Sequence, residues 1–139
     1  MRKDHTKEIN AEIGQIFFNN PIQCQGNQEV PIAFAYYAGE DGEPAKESYV
    51  VFGSCGNDVI GYCGDDRILE RRYYYYFDIY SKQNFFDILE QLIDILENNN
   101  FIHIPEKDGE DSFDWTTYQY YRRLIFAFDY DLTKNEGQE

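Results

Sequence analysis

The pattern of apolar and polar positions predicts a strand, a helix and a second strand between residues 70 and 132. Residues 71–80 are aromatic and β-branched and contain no alanine or leucine, which favours a strand. Residues 84–97 repeat apolar side chains every three or four positions, which is typical of a helix with one apolar face. Residues 118–130 again have the composition of a strand.

The predicted central helix has recognisable ends as well as an apolar stripe. Ser81 and Asn84 offer side chains that can cap its start, and the three asparagines at 98–100 suit its end. The stripe is formed by Phe85, Leu89, Leu92, Ile93 and Leu96.

Weaker patterns predict the other elements. Residues 3–18 predict an opening helix that Asn19-Asn20-Pro21 ends, and its apolar side is formed by Ile9, Ile13, Ile16 and Phe17. The remaining predictions are strands at 31–37, 48–53, 58–63 and 101–104, a turn at 54–57, a break at 64–67, and loops at 22–30, 38–47 and 105–117.

Together these elements predict one α+β domain over residues 1–132. Its single antiparallel or mixed sheet has four to five strands, with two helices packed mainly on one face. Residues 133–139 are predicted as a flexible tail. Both faces of the strand at 73–80 are apolar or aromatic, and contiguous exposed surface of that kind usually marks an interface, so we expect an oligomer.

Composition sets the class of protein. The 139 residues, 42% of them hydrophobic, suffice for one domain with its own core. The chain has no apolar run near the roughly 18 residues of a membrane span and no apolar signal region at its start, so we expect a soluble protein made in the cytoplasm. The three cysteines, Cys24, Cys55 and Cys63, are an odd number without a secreted pattern, which favours reduced thiols.

The charge balance argues against a protein that binds nucleic acid tightly. With 26 acidic and 12 basic side chains, the formal net charge is −14, which opposes attraction to DNA or anionic lipid. The same excess fits a soluble acidic protein, a nucleic-acid mimic, or the wall of a passage through which DNA slides. Charge alone does not choose among these three.

No pattern indicates catalysis, a cofactor or a metal site. The cysteines and His5 and His103 lack the close pairs of a zinc site, and nothing marks a cysteine nucleophile with His103 as its base. We interpret the carboxylate clusters as solvated loops, because none has calcium-loop spacing. These clusters are Asp65-Asp66, Asp108 with Glu110 and Asp111, and Asp129 with Asp131. We expect no enzymatic activity.

Two arginine pairs are the most informative charged residues. Arg71-Arg72 and Arg122-Arg123 lie on the two long predicted strands, where adjacent residues point to opposite faces. If the strands are neighbours, one arginine of each pair can share a face. Either they meet carboxylates of the same chain, or they bind carboxylates of a neighbouring subunit. The hypothetical subunit interface consists of Arg71, Arg72, Tyr74, Tyr76, Arg122 and Arg123.

The order of elements resembles that of the tail-terminator, or tail completion, proteins of long-tailed bacteriophages. The similarity spans about residues 3–130 and rests chiefly on Gly64-Asp65-Asp66 and on Phe77-Asp78-Ile79-Tyr80-Ser81-Lys82. The chain departs from the family at the helix exit, where Asn100 precedes Phe101 and the family often has glycine; asparagine tolerates the same left-handed backbone. The resemblance implies a non-enzymatic virion protein at the head-proximal end of the tail. Its homo-oligomer, a hexameric ring, caps the tail tube protein and joins the head–tail connector or stopper protein, while DNA passes through the lumen without specific binding.

The same resemblance assigns two loops to docking on the tube or the connector. Their candidate residues are Glu40, Asp41, Glu110, Asp111, Phe113 and Trp115. Two alternatives stay open. The chain is another head–tail joining protein, such as a stopper or adaptor, or it is an acidic inhibitor or nucleic-acid mimic of a nuclease or defence complex.

Overall fold

The computed structural model describes residues 5–24, 28–35, 37, 47–62, 68–83, 85–116 and 118–131, with only the backbone for 59–62, 68, 69 and 131. The helices are α1 (Thr6–Asn19) and α2 (Phe86–Glu97), and a short 3-10 helix spans Pro105–Lys107. The strands are β1 (Gln23–Cys24), β2 (Gln28–Glu29), β3 (Ile32–Phe34), β4 (Ser48–Tyr62), β5 (Ile68–Ser81), β6 (Phe101–His103), β7 (Ser112–Asp114) and β8 (Gln119–Asp131).

Six strands form one mixed sheet in the order β3-β4-β5-β8-β6, and β7 pairs with β8 beyond the stretch that β6 occupies. The β3–β4 pair is parallel and the other pairs are antiparallel. The α+β prediction, with two helices and a mixed sheet, is therefore confirmed. The sheet has six strands instead of four to five, and β1 and β2 form a separate small sheet inside the predicted loop at 22–30.

The predicted turn at 54–57 is wrong, because β4 runs through it as one strand. The register against β5 shifts by one residue between Ser54 and Asn57, so β4 has a bulge there. Gly56 has φ 120° there, a conformation that glycine adopts without strain. Strand β5 is long enough to pair with both halves of β4, which is why the chain continues instead of reversing.

The prediction that residues 105–117 form a loop without secondary structure is also wrong. It contains the 3-10 helix and β7, and it follows the edge of β8. The Gly109 N–H donates to the Arg123 carbonyl oxygen at 2.9 Å. Where the backbone ladder is interrupted, the Asp108 carboxylate accepts the Ile125 N–H at 2.9 Å. A side chain thus replaces a backbone acceptor and holds the segment against the sheet.

The core lies between the two helices and one face of the sheet. Ile9, Ile13, Ile16 and Phe17 of α1 and Ile88, Leu92 and Leu96 of α2 pack against inward-pointing residues of β4, β5 and β8. On β5 these are Tyr73, Tyr75, Phe77 and Ile79, at alternating positions.

The ends of α2 agree only partly with the sequence analysis. Among the described residues, no side chain caps its start; the Ser81 hydroxyl instead accepts the Gln83 N–H and contacts the Ser48 hydroxyl. The exit is as expected, since Asn100 has φ 70°. Asn84 lies outside the described residues, as do Cys63, Asp65, Asp66, the predicted break at 64–67, most of the predicted loop at 38–47 and the predicted tail at 133–139.

Cysteines and clusters of metal-binding side chains are the remaining candidates for chemistry in the described ranges. Cys24 and Cys55 are free thiols, and the described ranges hold no cluster of three or more His, Cys, Asp or Glu residues placed to bind a metal ion. Burial raises the pKa of the Cys55 thiol, which lowers its thiolate fraction at neutral pH. In the part of the chain that the structure describes, neither helix is long and apolar enough to span a membrane.

Candidate functional site

The candidate site is the face of the sheet opposite the two helices, which we call the outer face. Because side chains alternate along a strand, residues next to the core positions of β4, β5 and β8 point to this face. Its members are Tyr49, Val51 and Gly53 of β4; Arg72, Tyr74, Tyr76, Asp78 and Tyr80 of β5; and Tyr121, Arg123, Ile125, Ala127 and Asp129 of β8.

Four tyrosines form a row across one end of the outer face, which we call the tyrosine row: Tyr37, Tyr49, Tyr80 and Tyr121. Successive ring centroids are 4.8, 4.9 and 5.0 Å apart. These distances match the spacing of neighbouring strands. The rings of Tyr49, Tyr80 and Tyr121 line up because their positions are paired in the sheet, and Tyr37, which follows β3, extends the row by its contact with Tyr49.

Three members of the tyrosine row, Tyr49, Tyr80 and Tyr121, have pKa values raised above that of a free tyrosine. Burial and, to a smaller extent, the Asp78 carboxylate raise the pKa of Tyr80 from 10.0 to about 12. Burial is also the main reason that the pKa values of Tyr49 and Tyr121 are raised. The row therefore offers neutral aromatic rings with hydroxyl groups, the combination common at protein interfaces.

Beside the tyrosine row, Arg123 of β8 faces Asp78 of β5. The guanidinium makes two parallel hydrogen bonds, Nε to Oδ1 at 2.7 Å and Nη2 to Oδ2 at 2.9 Å. The Asp78 side chain is 7% exposed and that of Arg123 43%. The hydrogen bonds to Asp78 raise the pKa of Arg123, and the shared charge is neutralised within the chain.

Two residues further along the strands, Gly53 of β4 leaves a slot that the Tyr76 ring of β5 fills, which we call the Tyr76 slot. The Tyr76 ring lies over Gly53, where an added Cβ would be 2.5 Å from the tyrosine oxygen. The Arg123 guanidinium carbon lies 4.5 Å from the centroid of the same ring. Gly53 thus lets the ring lie flat on β4, and the cation–π contact fixes it there.

A second ion pair occupies the far end of the outer face. Arg72 donates through Nε to Asp129 Oδ1 at 2.7 Å and through Nη2 to Oδ2 at 2.9 Å. These hydrogen bonds raise the pKa of Arg72. Between the two pairs, Tyr74 donates to Asp58, and the ammonium of Lys107 lies 5.2 Å from the Tyr74 ring centroid.

The structure divides the six candidate interface residues between two faces. Arg72, Tyr74, Tyr76 and Arg123 lie on the outer face, because β5 and β8 are neighbours. Arg71 and Arg122 point to the helix side. There Arg71 donates to Asn57, and Arg122 Nε lies 3.5 Å from Asp111 Oδ1.

The six candidate docking residues also fall into two groups. Glu110 and Asp111 precede β7, Phe113 lies in it, and Trp115 follows it, so these four share one edge of the sheet. Glu40 and Asp41 lie outside the described residues.

An apolar cleft lies at the opposite edge of the sheet, beside β3. Its volume is about 640 Å³, and its walls include Phe17, Phe18, Pro21, Pro31 and Tyr37. Phe18 is 81% exposed. The cleft and the outer face meet at Tyr37, which belongs to both. The other walls of the cleft come from α1, Pro21 and residues 28–33, whereas the rest of the outer face comes from β4, β5 and β8.

Sequence reasoning missed the residues that complete the outer face. Asp78 and Asp129 were not identified as partners of the arginines, and the role of Gly53 was not foreseen. One signal was available: Arg72 precedes Asp78 by six residues, and Arg123 precedes Asp129 by the same interval.

Comparison with known proteins identifies no relative from which a function can be transferred. No family model matches the chain, and no curated protein matches it significantly. The functional argument therefore rests on the surfaces described above.

Proposed function

We propose that this chain is the tail terminator of a long-tailed bacteriophage. As a hexameric ring it caps the tail tube and forms the surface that the head connector joins. The proposal is carried by the outer face, on which half-buried tyrosines and internally neutralised arginines form a broad surface. It is further supported by the order of elements in the sequence and by the α+β fold.

The outer face suits burial against another subunit. Tyrosine rings supply a large contact area and lose few rotamers when they become fixed. Because Asp78 and Asp129 neutralise the two arginines, covering these pairs leaves neither arginine without its counter-charge. The tyrosine row, Tyr74 and the Tyr76 slot thus form one half of the proposed contact.

A ring needs a second, different surface on the same subunit. Head-to-tail contacts join unlike surfaces, and they close into a ring when the rotation between subunits allows it. The apolar cleft beside β3, with the exposed ring of Phe18, is the second surface we assign to the contact. The charge of −14 per subunit fits a lumen that repels the phosphates of passing DNA.

The test is the mass of the purified protein in solution across a range of concentrations, measured by light scattering after size exclusion. A hexamer, or a monomer that becomes a ring when tail tubes are added, supports the proposal. Tyr74→Ser on the outer face is expected to weaken assembly, whereas Tyr118→Ser, at an exposed position on another surface, leaves it unchanged. Circular dichroism of both variants checks that they fold. A stable monomer that ignores tubes overturns the proposal.

A second candidate function is an acidic inhibitor of a basic nuclease or defence complex. It is favoured by the segment 108–121, which has four acidic side chains, no lysine or arginine, and an exposed Trp115. The two candidates differ in assembly, because an inhibitor of this size acts without a ring. A monomer that forms a one-to-one complex with a basic nuclease favours the inhibitor.

A further inference from the structure

The hairpin of β7 and β8 presents aromatic side chains that neither the core nor the outer face uses. Trp115 is 76% exposed, Tyr118 66% and Tyr120 48%. Phe113 lies between two of them, with ring centroids 4.7 Å from Trp115 and 5.2 Å from Tyr120, both edge to face. We call Phe113, Trp115, Tyr118 and Tyr120 the aromatic hairpin.

Hydrogen bonds within the chain fix the conformation of the aromatic hairpin. Strand β7 pairs with the start of β8, and the Asp114 carboxylate accepts the Thr116 N–H at 2.8 Å inside the connection. Tyr118 has φ 55°, an uncommon value for a bulky residue and one that tends to persist at functional positions. Fixed side chains lose less freedom on binding, so the hairpin is suited to recognition.

Within residues 108–121 the charges have one sign, and the flanking Arg122 and Arg123 already face Asp111 and Asp78. Residues 108–121 include four acidic side chains and no basic one. Three of the four have partners: Asp108 accepts the Ile125 N–H, Asp111 lies near Arg122, and Asp114 accepts the Thr116 N–H. Glu110 is exposed, and the half-buried Asp114 lies between Phe113 and Trp115 in the sequence, so both add negative charge to this edge of the sheet.

This charge decides what kind of partner fits. The phosphates of nucleic acid and of anionic lipid would be repelled, and a second copy of the chain also carries a charge of −14. Arginine and lysine side chains fit both the negative charge and the exposed aromatic rings of this surface. Their charges pair with carboxylates, and an arginine also stacks on the face of a tryptophan or tyrosine.

We propose that the aromatic hairpin is a docking site for the basic surface of another protein. Trp115 and Tyr118 anchor arginine or lysine side chains of that surface, and Glu110 and Asp114 pair with their charges. The assignment does not depend on the proposed ring: the ring is tested by the mass of the protein, and the hairpin by binding at Trp115.

The chain offers a direct probe, because Trp115 is its one tryptophan. An arginine-rich peptide is titrated into the full chain at physiological salt while tryptophan emission is recorded. A matched peptide with glutamate in place of arginine is the control ligand. We expect saturable quenching or a blue shift with the arginine peptide and no change with the glutamate peptide.

Variants separate docking at the hairpin from general attraction to an acidic protein. Glu110→Gln combined with Asp114→Asn is expected to weaken binding about tenfold, and Tyr118→Ser by a similar factor. Glu12→Gln combined with Glu90→Gln removes the same charge from exposed positions on α1 and α2 and is expected to change binding less than about twofold. Equal effects of the two double variants, or no response of Trp115, overturn the proposal.

Discussion

Arg123 and Asp78 occupy directly paired positions of β8 and β5 and form a two-point hydrogen-bonded ion pair, with 7% of the aspartate side chain exposed. Arg72 and Asp129 form a pair with the same two distances, but both of their side chains are about 30% exposed. The two pairs therefore differ mainly in the burial of the carboxylate. Burial decides how much an ion pair contributes to stability.

Asp78→Ala is expected to lower the free energy of unfolding by about 1.5–3 kcal/mol, because it removes hydrogen bonds to a charged group whose surroundings are dry. Asp129→Ala is expected to lower it by about 0.2–1 kcal/mol, since water can replace that carboxylate. Urea unfolding of the two variants measures the difference. Equal losses would contradict the role assigned to burial.

Gly53→Ala is expected to destabilise the protein by about 1–3 kcal/mol, because the new methyl group must displace the Tyr76 ring. Gly14→Ala is the matched control, since nothing lies within 4 Å of its Cβ position in α1. It is expected to stabilise the protein by about 0.5–1 kcal/mol through helix propensity.

A double variant shows whether the Tyr76 ring is the cause. With Tyr76→Ala in the background, Gly53→Ala is expected to cost much less than in the parent protein. Thermal unfolding of the two single variants and the double variant gives the coupling. Strictly additive effects would mean that Gly53 acts through some other contact.

The tyrosine row predicts a loss of stability at high pH. Because the pKa of Tyr80 is raised from 10.0 to about 12, the folded state holds this proton more tightly than the unfolded state. The contribution is fully present below pH 10.0 and is lost as the pH rises toward about 12.

Two measurements test the predicted direction of this pH dependence. Tyrosinate absorbance of the native protein is expected to include a component that titrates later than in urea, and Tyr80→Phe is expected to remove it. The same variant is expected to flatten the fall in unfolding free energy above pH 10.0. An unchanged slope in Tyr80→Phe would show that the loss comes from other groups.

Asp108 closes the gap in the hydrogen-bond ladder along β8, and it also lies 2.7 Å from His103 Nε2. Asp108→Ala leaves the Ile125 N–H without its acceptor and is expected to cost about 1–3 kcal/mol. Hydrogen exchange at the Ile125 amide is expected to accelerate more than exchange at the amides of β5. Asp111→Ala, at a more exposed position of the same edge, is the control, and an equal effect there would contradict this role.

The sequence was sufficient for the long elements of the fold. Residues 84–97 and 71–80 carry patterns long enough to separate helix from strand, and the structure has α2 and β5 there. The three asparagines at 98–100 predict the helix end from residue type, and Asn100 has the left-handed conformation there.

The features that the sequence did not predict depend on neighbouring strands. Gly56 and Asn57 suit a turn and a bulge equally well, and the length of β5 decides between them. The edge segment at 105–117 is ordered by Asp108 and β8, which local composition does not reveal. The partners of Arg72 and Arg123 depend on the register of β5 against β8, and α2 separates those strands in sequence.

The spacing of arginine and aspartate along β5 and β8 also favours antiparallel over parallel pairing of these two strands. Each strand carries an arginine followed six residues later by an aspartate, and the antiparallel register places unlike charges opposite each other. A parallel alignment at the same spacing would bring Arg72 against Arg123 and Asp78 against Asp129, and facing like charges repel. A shift of two residues would break both pairs at once. Four side chains therefore distinguish the native pairing from its reversed and slipped alternatives while the sheet assembles.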